Sequence, residues 1–386
     1  MASTSCGSSE DADGQQGGSA GSASGQAGSE GGDQAGPSGD FRKKDLIITA
    51  RCMPAVDGAG SVRVDGFDPR TWKHQAHVSF PLPDAVFTRN PEHEGGVPET
   101  PLRVLCEAVE AADGGPFDRI ESMDISGIRS LFDQDFTKMA VVTYDEQTGA
   151  SHVGYVDRSG ELTDLTDEEE FGVTPAEENA VLTPDGQTLW YTSYNDESNE
   201  FRVLSRDVAG GDEPVEHWKN DWSEGGPIIL GTSGQVALSS SGASISPDGR
   251  HILIESQIVT NPAKPGLVDP DVLESAPSTP CADSYPVGWV DNRTLFCDAK
   301  DFAVVDLEAP SPATASELPP ILPENDKGNE PLLLAPDGEQ LIFLARRGES
   351  AAHYVTATEP GSAPKELPST GPLADLDYAT AFIEWR

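Results

Sequence analysis

The chain has 386 residues, with 66 Asp or Glu against 25 Lys or Arg, giving a formal net charge of −41. A surface this negative repels nucleic-acid phosphate and anionic lipid, so neither is a partner expected of the folded body. Hydrophobic residues at 36%, with 39 Gly and 31 Pro, argue against a helix bundle and for short strands joined by turns.

Residues 1–40 hold 11 Gly and 9 Ser, with six acids and no Lys or Arg. Such a segment buries too little apolar surface to offset the entropy of ordering, so a disordered linker is predicted. The stretch after Cys6 would span roughly 30–35 Å as a flexible coil. Ser5-Cys6-Gly7-Ser8-Ser9 resembles the mature start of a bacterial lipoprotein, in which the cysteine is diacylated. The resemblance implies lipidation at Cys6 and a location on the outer face of the cell membrane. Gly17-Gly18-Ser19-Ala20-Gly21 matches a hydrolase pattern, but that pattern needs a strained strand-to-helix turn and here lies in the linker.

From Phe41 onward the composition changes, and residues 41–386 are expected to form one domain. Runs at 46–51, 60–66 and 74–80 read as three strands. His74 and His77 lie three apart in the last of these, so they should face opposite sides as ordinary surface histidines. No metal site and no cofactor is expected. Pro101 to Glu110 reads as a helix, with Gly114-Gly115 after it. Once Cys6 is assigned to lipid, Cys52, Cys106, Cys281 and Cys297 form an even set with three pairings. The local pairing Cys52–Cys106 and Cys281–Cys297 is preferred.

A repeat then emerges. Leu182-Thr183-Pro184-Asp185-Gly186 precedes an apolar run, and so do Ile245-Ser246-Pro247-Asp248-Gly249 and Leu334-Ala335-Pro336-Asp337-Gly338. Pro presets φ, Asp bonds the local backbone and Gly accepts positive φ, so each is a strand–turn–strand unit. Degenerate copies surround Asp135 and Asp291, and the five Asp markers are spaced 50, 63, 43 and 46 residues apart. Blades of a four-stranded propeller recur every ~40–50 residues, so the 63-residue interval holds an enlarged loop or hides another blade.

The Pro-Asp-Gly turn followed by alternating Ile, Leu and Phe resembles the repeat of TolB-like, WD-repeat-like bacterial β-propellers. That resemblance, over about residues 120–370, implies a six-bladed β-propeller, with seven blades as the alternative. The final run, 378–385, reads as a strand without a blade, which would close the first blade and remove two open edges. High Ala, Gly, Asp and Glu with more Arg than Lys resembles an actinobacterial composition.

The acidic runs at 164–170 and 195–200 lack the Asp/Asn spacing and central Gly of a calcium loop and read as solvated loops. Trp218 and Trp222, beside Lys219 and Asn220, are the candidate binding residues for sugar or peptide. The function expected is that of a monomeric cell-surface lipoprotein whose acidic propeller binds a protein or glycan, touching the membrane only through its lipid. A lyase or hydrolase sited in the channel, and a sensory ectodomain, are the alternatives.

Overall fold

The computed structural model describes residues 39–386 apart from 54–59, 87–99, 112–123, 146–148, 167–175, 196–197, 199, 211–212, 221–227, 232–233, 239–242, 255–256, 261–265, 269–277, 282–284, 299–300, 310–313, 349, 370–372, 374–375 and 377–378. The chain divides into two units, Met1–Ala35 and Gly36–Arg386, and the described residues all belong to the second. Cys6, Trp222 and the acids at 167–170 lie outside the described residues.

Strands β1 (Ile47–Met53), β2 (Ser61–Phe67) and β3 (His74–Pro81) form an antiparallel meander. Helices α1 (Pro101–Ala111) and α2 (Asp124–Ser130) come after it in the chain. A second meander comprises β4 (Lys138–Tyr144), β5 (Ser151–Asp157) and β6 (Leu162–Asp164). A third runs through β7 (Ala176–Leu182), β8 (Thr188–Asn195), β9 (Glu200–Asp207) and β10 (Val215–Asn220). A single parallel pairing, Ser151 with Ala176, joins these two into one hydrogen-bonded sheet.

The 63-residue interval contains a hairpin of its own, β11 (Ile228–Leu230) with β12 (Gln235–Leu238). Next come β13 (Ala243–Ile245), β14 (His251–Ile254) and β15 (Gln257–Thr260). A short β16 (Gly266–Leu267) returns to pair in parallel with β12. Strands β17 (Tyr285–Trp289), β18 (Thr294–Asp298) and β19 (Ala303–Asp306) form another meander. The last consists of β20 (Gly328–Leu334), β21 (Gln340–Arg347), β22 (Ser350–Ala357) and β23 (Lys365–Glu366). Finally β24 (Ala381–Trp385) pairs antiparallel with β1, giving the order β24-β1-β2-β3. Both ends of the domain therefore share one sheet, and the open edge expected at β1 is covered.

The buried residues show why the sheets form a ring. Val64 of the first meander packs with Met139 and Val141 of the second. Val142 and Val153 then meet Leu189 and Tyr191. Val181 and Trp190 meet Ile228 and Val236, and Ile229 meets Ile252 and Val259. Leu253 meets Leu295, and Phe296 meets Leu341 and Phe343. The circuit ends where Ile342 packs against Ile47 and Phe382. Each interface joins consecutive meanders, and the last returns to the first. The fold is a β-propeller. Burying one such Leu, Ile or Phe contributes about 1.5–3 kcal/mol, so strands buried on both faces, such as β4, β8 and β21, are what stack each sheet between its neighbours.

The turns behave as their residues dictate. Gly186, Gly249 and Gly338 have φ of 64°, 70° and 71°. Asp185, Asp248 and Asp337 each accept the backbone N–H two residues on, at 3.1, 3.0 and 2.9 Å. In the degenerate copy Phe136 takes the glycine's place at φ 52°, fully buried beneath the guanidinium of Arg129 at 4.9 Å. The two local disulfides are formed: Cys52–Cys106 ties β1 to α1, and Cys281–Cys297 ties β18 to the segment before β17.

Candidate functional site

Neighbouring inner strands touch in chain order, β7 with β11, β11 with β13, β13 with β17, and β20 with β24. They surround a cavity of about 280 Å³ at the ring's centre. Its wall combines apolar side chains, Ile229 and Leu230, Ile245, Trp289, Leu332 to Leu334, and Ile383, with about as much exposed polar surface. The sequence signal for this lining is positional. Ser244-Ile245, Gly288-Trp289 and Leu332-Leu333-Leu334 each lie just ahead of a marker turn, so strands that end at those turns carry the lining residues.

Helix α2 supplies the remaining side of the cavity, through Ile125, Ser126, Arg129 and Ser130. It precedes the turn at Asp133–Phe136, the position an inner strand holds in the other repeats, and it touches β24, β7 and β11. Seven residues containing Ser126 and Gly127 show no readable helical period, which is why this element is invisible in the sequence.

Arg129 is fixed by charge. Its Nε lies 2.5 Å from Glu384 Oε2, and its Nη1 donates to Phe132 O at 2.9 Å. Arg386 reaches the same carboxylate, Nη2 to Oε2 at 2.6 Å and Nε to Oε1 at 2.8 Å. Burial works to raise the Glu384 pKa, but Arg129 and Arg386 outweigh it and hold the carboxyl below its ordinary value. The cluster locks α2 to the closing strand. Across the cavity, the Trp289 indole N–H donates to Ser244 O at 3.2 Å, fixing the ring that forms part of the wall.

Trp218 lies on β10, the outermost strand of its meander. It is half-buried, with its ring edge-on to Phe201 at 6.0 Å, so part of the indole packs onto the sheet. Glu200 binds both Lys219 and Arg202 beside it. Trp218 is thus remote from the central cavity in the topology.

His74 and His77 correct the sequence expectation. A register shift between Gly66 and Phe67 sets Phe67 opposite His74 while Gly66 faces Ala76, which leaves Gln75 as the extra residue of a β-bulge. The bulge cancels one step of alternation and brings both rings to one face. His74 Nε2 is 2.7 Å and His77 Nδ1 2.9 Å from the same oxygen, Oδ1 of Asp65. Burial works to raise the Asp65 pKa, and the hydrogen bond from His74, the charge of Arg63 and the bond from His77 together carry it below the ordinary value.

No protein-family model matches the chain. No curated protein matches it either. Among solved structures, it is similar to a prolyl endopeptidase at 15% identity and TM-score 0.38, over 84% of this chain and 42% of that one. The chain thus spans less than half the length of that enzyme. TolB from Acinetobacter baumannii overlaps at 12% identity and TM-score 0.28, over 84% of this chain and 69% of that one. The propeller domain of the Trilobed protease from Pyrococcus furiosus overlaps at 10% identity and TM-score 0.35, over 86% and 83%.

Proposed function

We propose that this chain is a lipid-anchored extracytoplasmic binding module, whose propeller of seven blades receives a group of a protein or glycan partner in its central cavity. The observation that carries the reading is the cavity itself. Its wall mixes apolar side chains with polar groups held in place, Arg129 by Glu384 and the Trp289 indole by Ser244 O, which suits recognition of a partner group of mixed character. Among its described lining residues the ionisable side chain is Arg129, already committed to Glu384, and this supports recognition over channel-sited hydrolysis or elimination. The hairpin β11–β12, with clusters of its own on both sides, supports counting seven blades where the turn markers suggest six.

Two disulfides support an oxidising compartment, and among the described residues no helix is long and apolar enough to cross a membrane. Membrane attachment is assigned to Cys6, where diacylation supplies the two chains that stable anchoring needs. Mass spectrometry of the native gene product, expressed with its own upstream sequence, should find a diacylglyceryl adduct on an N-terminal Cys6; an unmodified cysteine contradicts the anchor.

Filling the cavity tests the binding. Gly288 lines it, and a Cβ there meets no atom within 4 Å. Gly288→Leu should retain the native melting temperature and lose partner retention in a quantitative pull-down from surface extracts. Retention at the native level would place recognition elsewhere. Trp218, on the outer strand β10, and Trp222 remain proposed contacts, to be compared by Trp218→Ala and Trp222→Ala in the same assay.

A further inference from the structure

The face of the first sheet that carries Asp65 presents a second site, independent of the central cavity. Asp65 on β2 is the cross-strand partner of His77 on β3, and the bulge at Gln75 adds His74 to the same face. We propose that Asp65, His74 and His77 bind a divalent transition-metal ion, with zinc the natural occupant of such a donor set.

The chemistry of the donors comes first. Two imidazole nitrogens and one carboxylate oxygen suit Zn²⁺ and its neighbours in the transition series, whereas calcium and magnesium take all-oxygen sets. The geometry comes second. His74 Nε2, His77 Nδ1 and Asp65 Oδ1 all lie within 4.8 Å of one another, and each nitrogen is within 3 Å of the oxygen. Donors at about 2.0–2.2 Å from one ion are roughly 3.0–3.4 Å apart for right-angled or tetrahedral arrangements. The oxygen–nitrogen pairs need to open by a few tenths of an ångström, which the exposed His74 ring is free to do.

The surroundings fit a built site. Arg63 Nε lies 2.6 Å from the other carboxylate oxygen, Oδ2, so it orients Asp65 and leaves Oδ1 turned toward the histidines. An outer partner on a ligating carboxylate is the usual second layer of a metal site. The Asp65 side chain is 10% exposed and that of His77 15%, while that of His74 is 36% exposed. The ion would therefore sit at the surface with positions open to water or to a donor from a partner. A chain of net charge −41 also concentrates cations near its surface. Sequence reading missed the site because alternation separates residues three apart; only the extra residue of the bulge reunites them.

Zinc alone is a sufficient probe. The full-length chain, stripped with chelator, should take up zinc in a saturable calorimetric titration and gain several degrees in melting temperature. His74→Ala removes one hydrogen bond to Asp65 and should lower the zinc-free melting temperature only modestly, with cooperative unfolding retained, while weakening zinc binding more than about tenfold. His77→Ala should do the same, and His217→Ala, on the distant strand β10, should not. Zinc affinity and stoichiometry unchanged in both His74→Ala and His77→Ala would assign any uptake to the acidic surface and overturn the proposal. So would the absence of saturable uptake up to about 0.1 mM zinc. Neither outcome depends on whether the central cavity binds a partner.

Discussion

The closing strand is held at one carboxylate, and replacing it is the sharpest test of how the ring is sealed. Glu384→Gln keeps the shape and removes the charge, leaving Arg129 and Arg386 facing each other across a neutral amide. Their side chains are 21% and 14% exposed, and that of Glu384 25%, so solvent screens the cluster only in part. Each guanidinium–carboxylate pair, with charge centres about 4 Å apart, attracts by about 4 kcal/mol at an effective dielectric constant of 20. Desolvation offsets much of that, and breaking buried pairs costs about 3–5 kcal/mol. With partial exposure the expected loss is about 2–4 kcal/mol, read from the urea midpoint at unchanged slope. The sign with pH comes from the direction of the shift. A carboxyl whose folded pKa is depressed contributes its stability above the unfolded value, near 4.3, and loses it as pH falls through the folded value. The gap between wild type and Glu384→Gln should therefore be full at pH 7 and narrow below about pH 4.3. A loss under about 0.5 kcal/mol at pH 7, or a gap that widens on acidification, would refute closure through this carboxylate.

Gly154→Ala should destabilise by about 1–3 kcal/mol, because its Cβ would lie 2.3 Å from Thr163 O in the neighbouring strand β6; an unchanged urea midpoint would show that β6 yields freely. Replacing Cys52 and Cys106 together by Ser should cost about 4 kcal/mol on the chain-entropy model, given a separation of 54 residues, and a melting temperature insensitive to it would deny the link a stabilising role. Gly249→Ala combines a φ of 70° with a Cβ placed 2.2 Å from Gln235 Nε2, so calorimetry should show a lowered melting temperature, whereas a neutral result would mean that the buried Gln235 can move aside.

What could be read from the sequence was carried by local chemistry. Pro184-Asp185-Gly186 and its two counterparts encode their turns through φ and a side-chain hydrogen bond, and nothing distant alters that. The closing strand was legible because residues 378–385 read as a strand with no blade of their own, and the disulfides because each of the four cysteines takes the nearest of the other three along the chain. Elements set by tertiary packing left no such trace. Helix α2 is too short and too rich in Gly and Ser to announce itself; packing against β24, β7 and β11 accompanies its formation. The hairpin β11–β12 turns through Gly231 and Gly234, with Gly234 N bonded to Gly231 O at 2.9 Å, and lacks the Pro-Asp-Gly signature. The histidine pair depended on a single inserted residue, Gln75. The cavity gathers residues from positions 125 to 383, and only their common place ahead of the turns hinted that they meet.

Binding through the central cavity is best tested by site-specific photocrosslinking in intact cells. A photoreactive phenylalanine analogue replacing Gly288 would sit in the cavity, and one replacing Lys365 would sit on the exposed outer strand β23. Recognition in the cavity requires a discrete partner adduct from position 288 and none from position 365. An adduct from 365 with none from 288 would contradict it, and recognition would then belong to the outer edge of the ring.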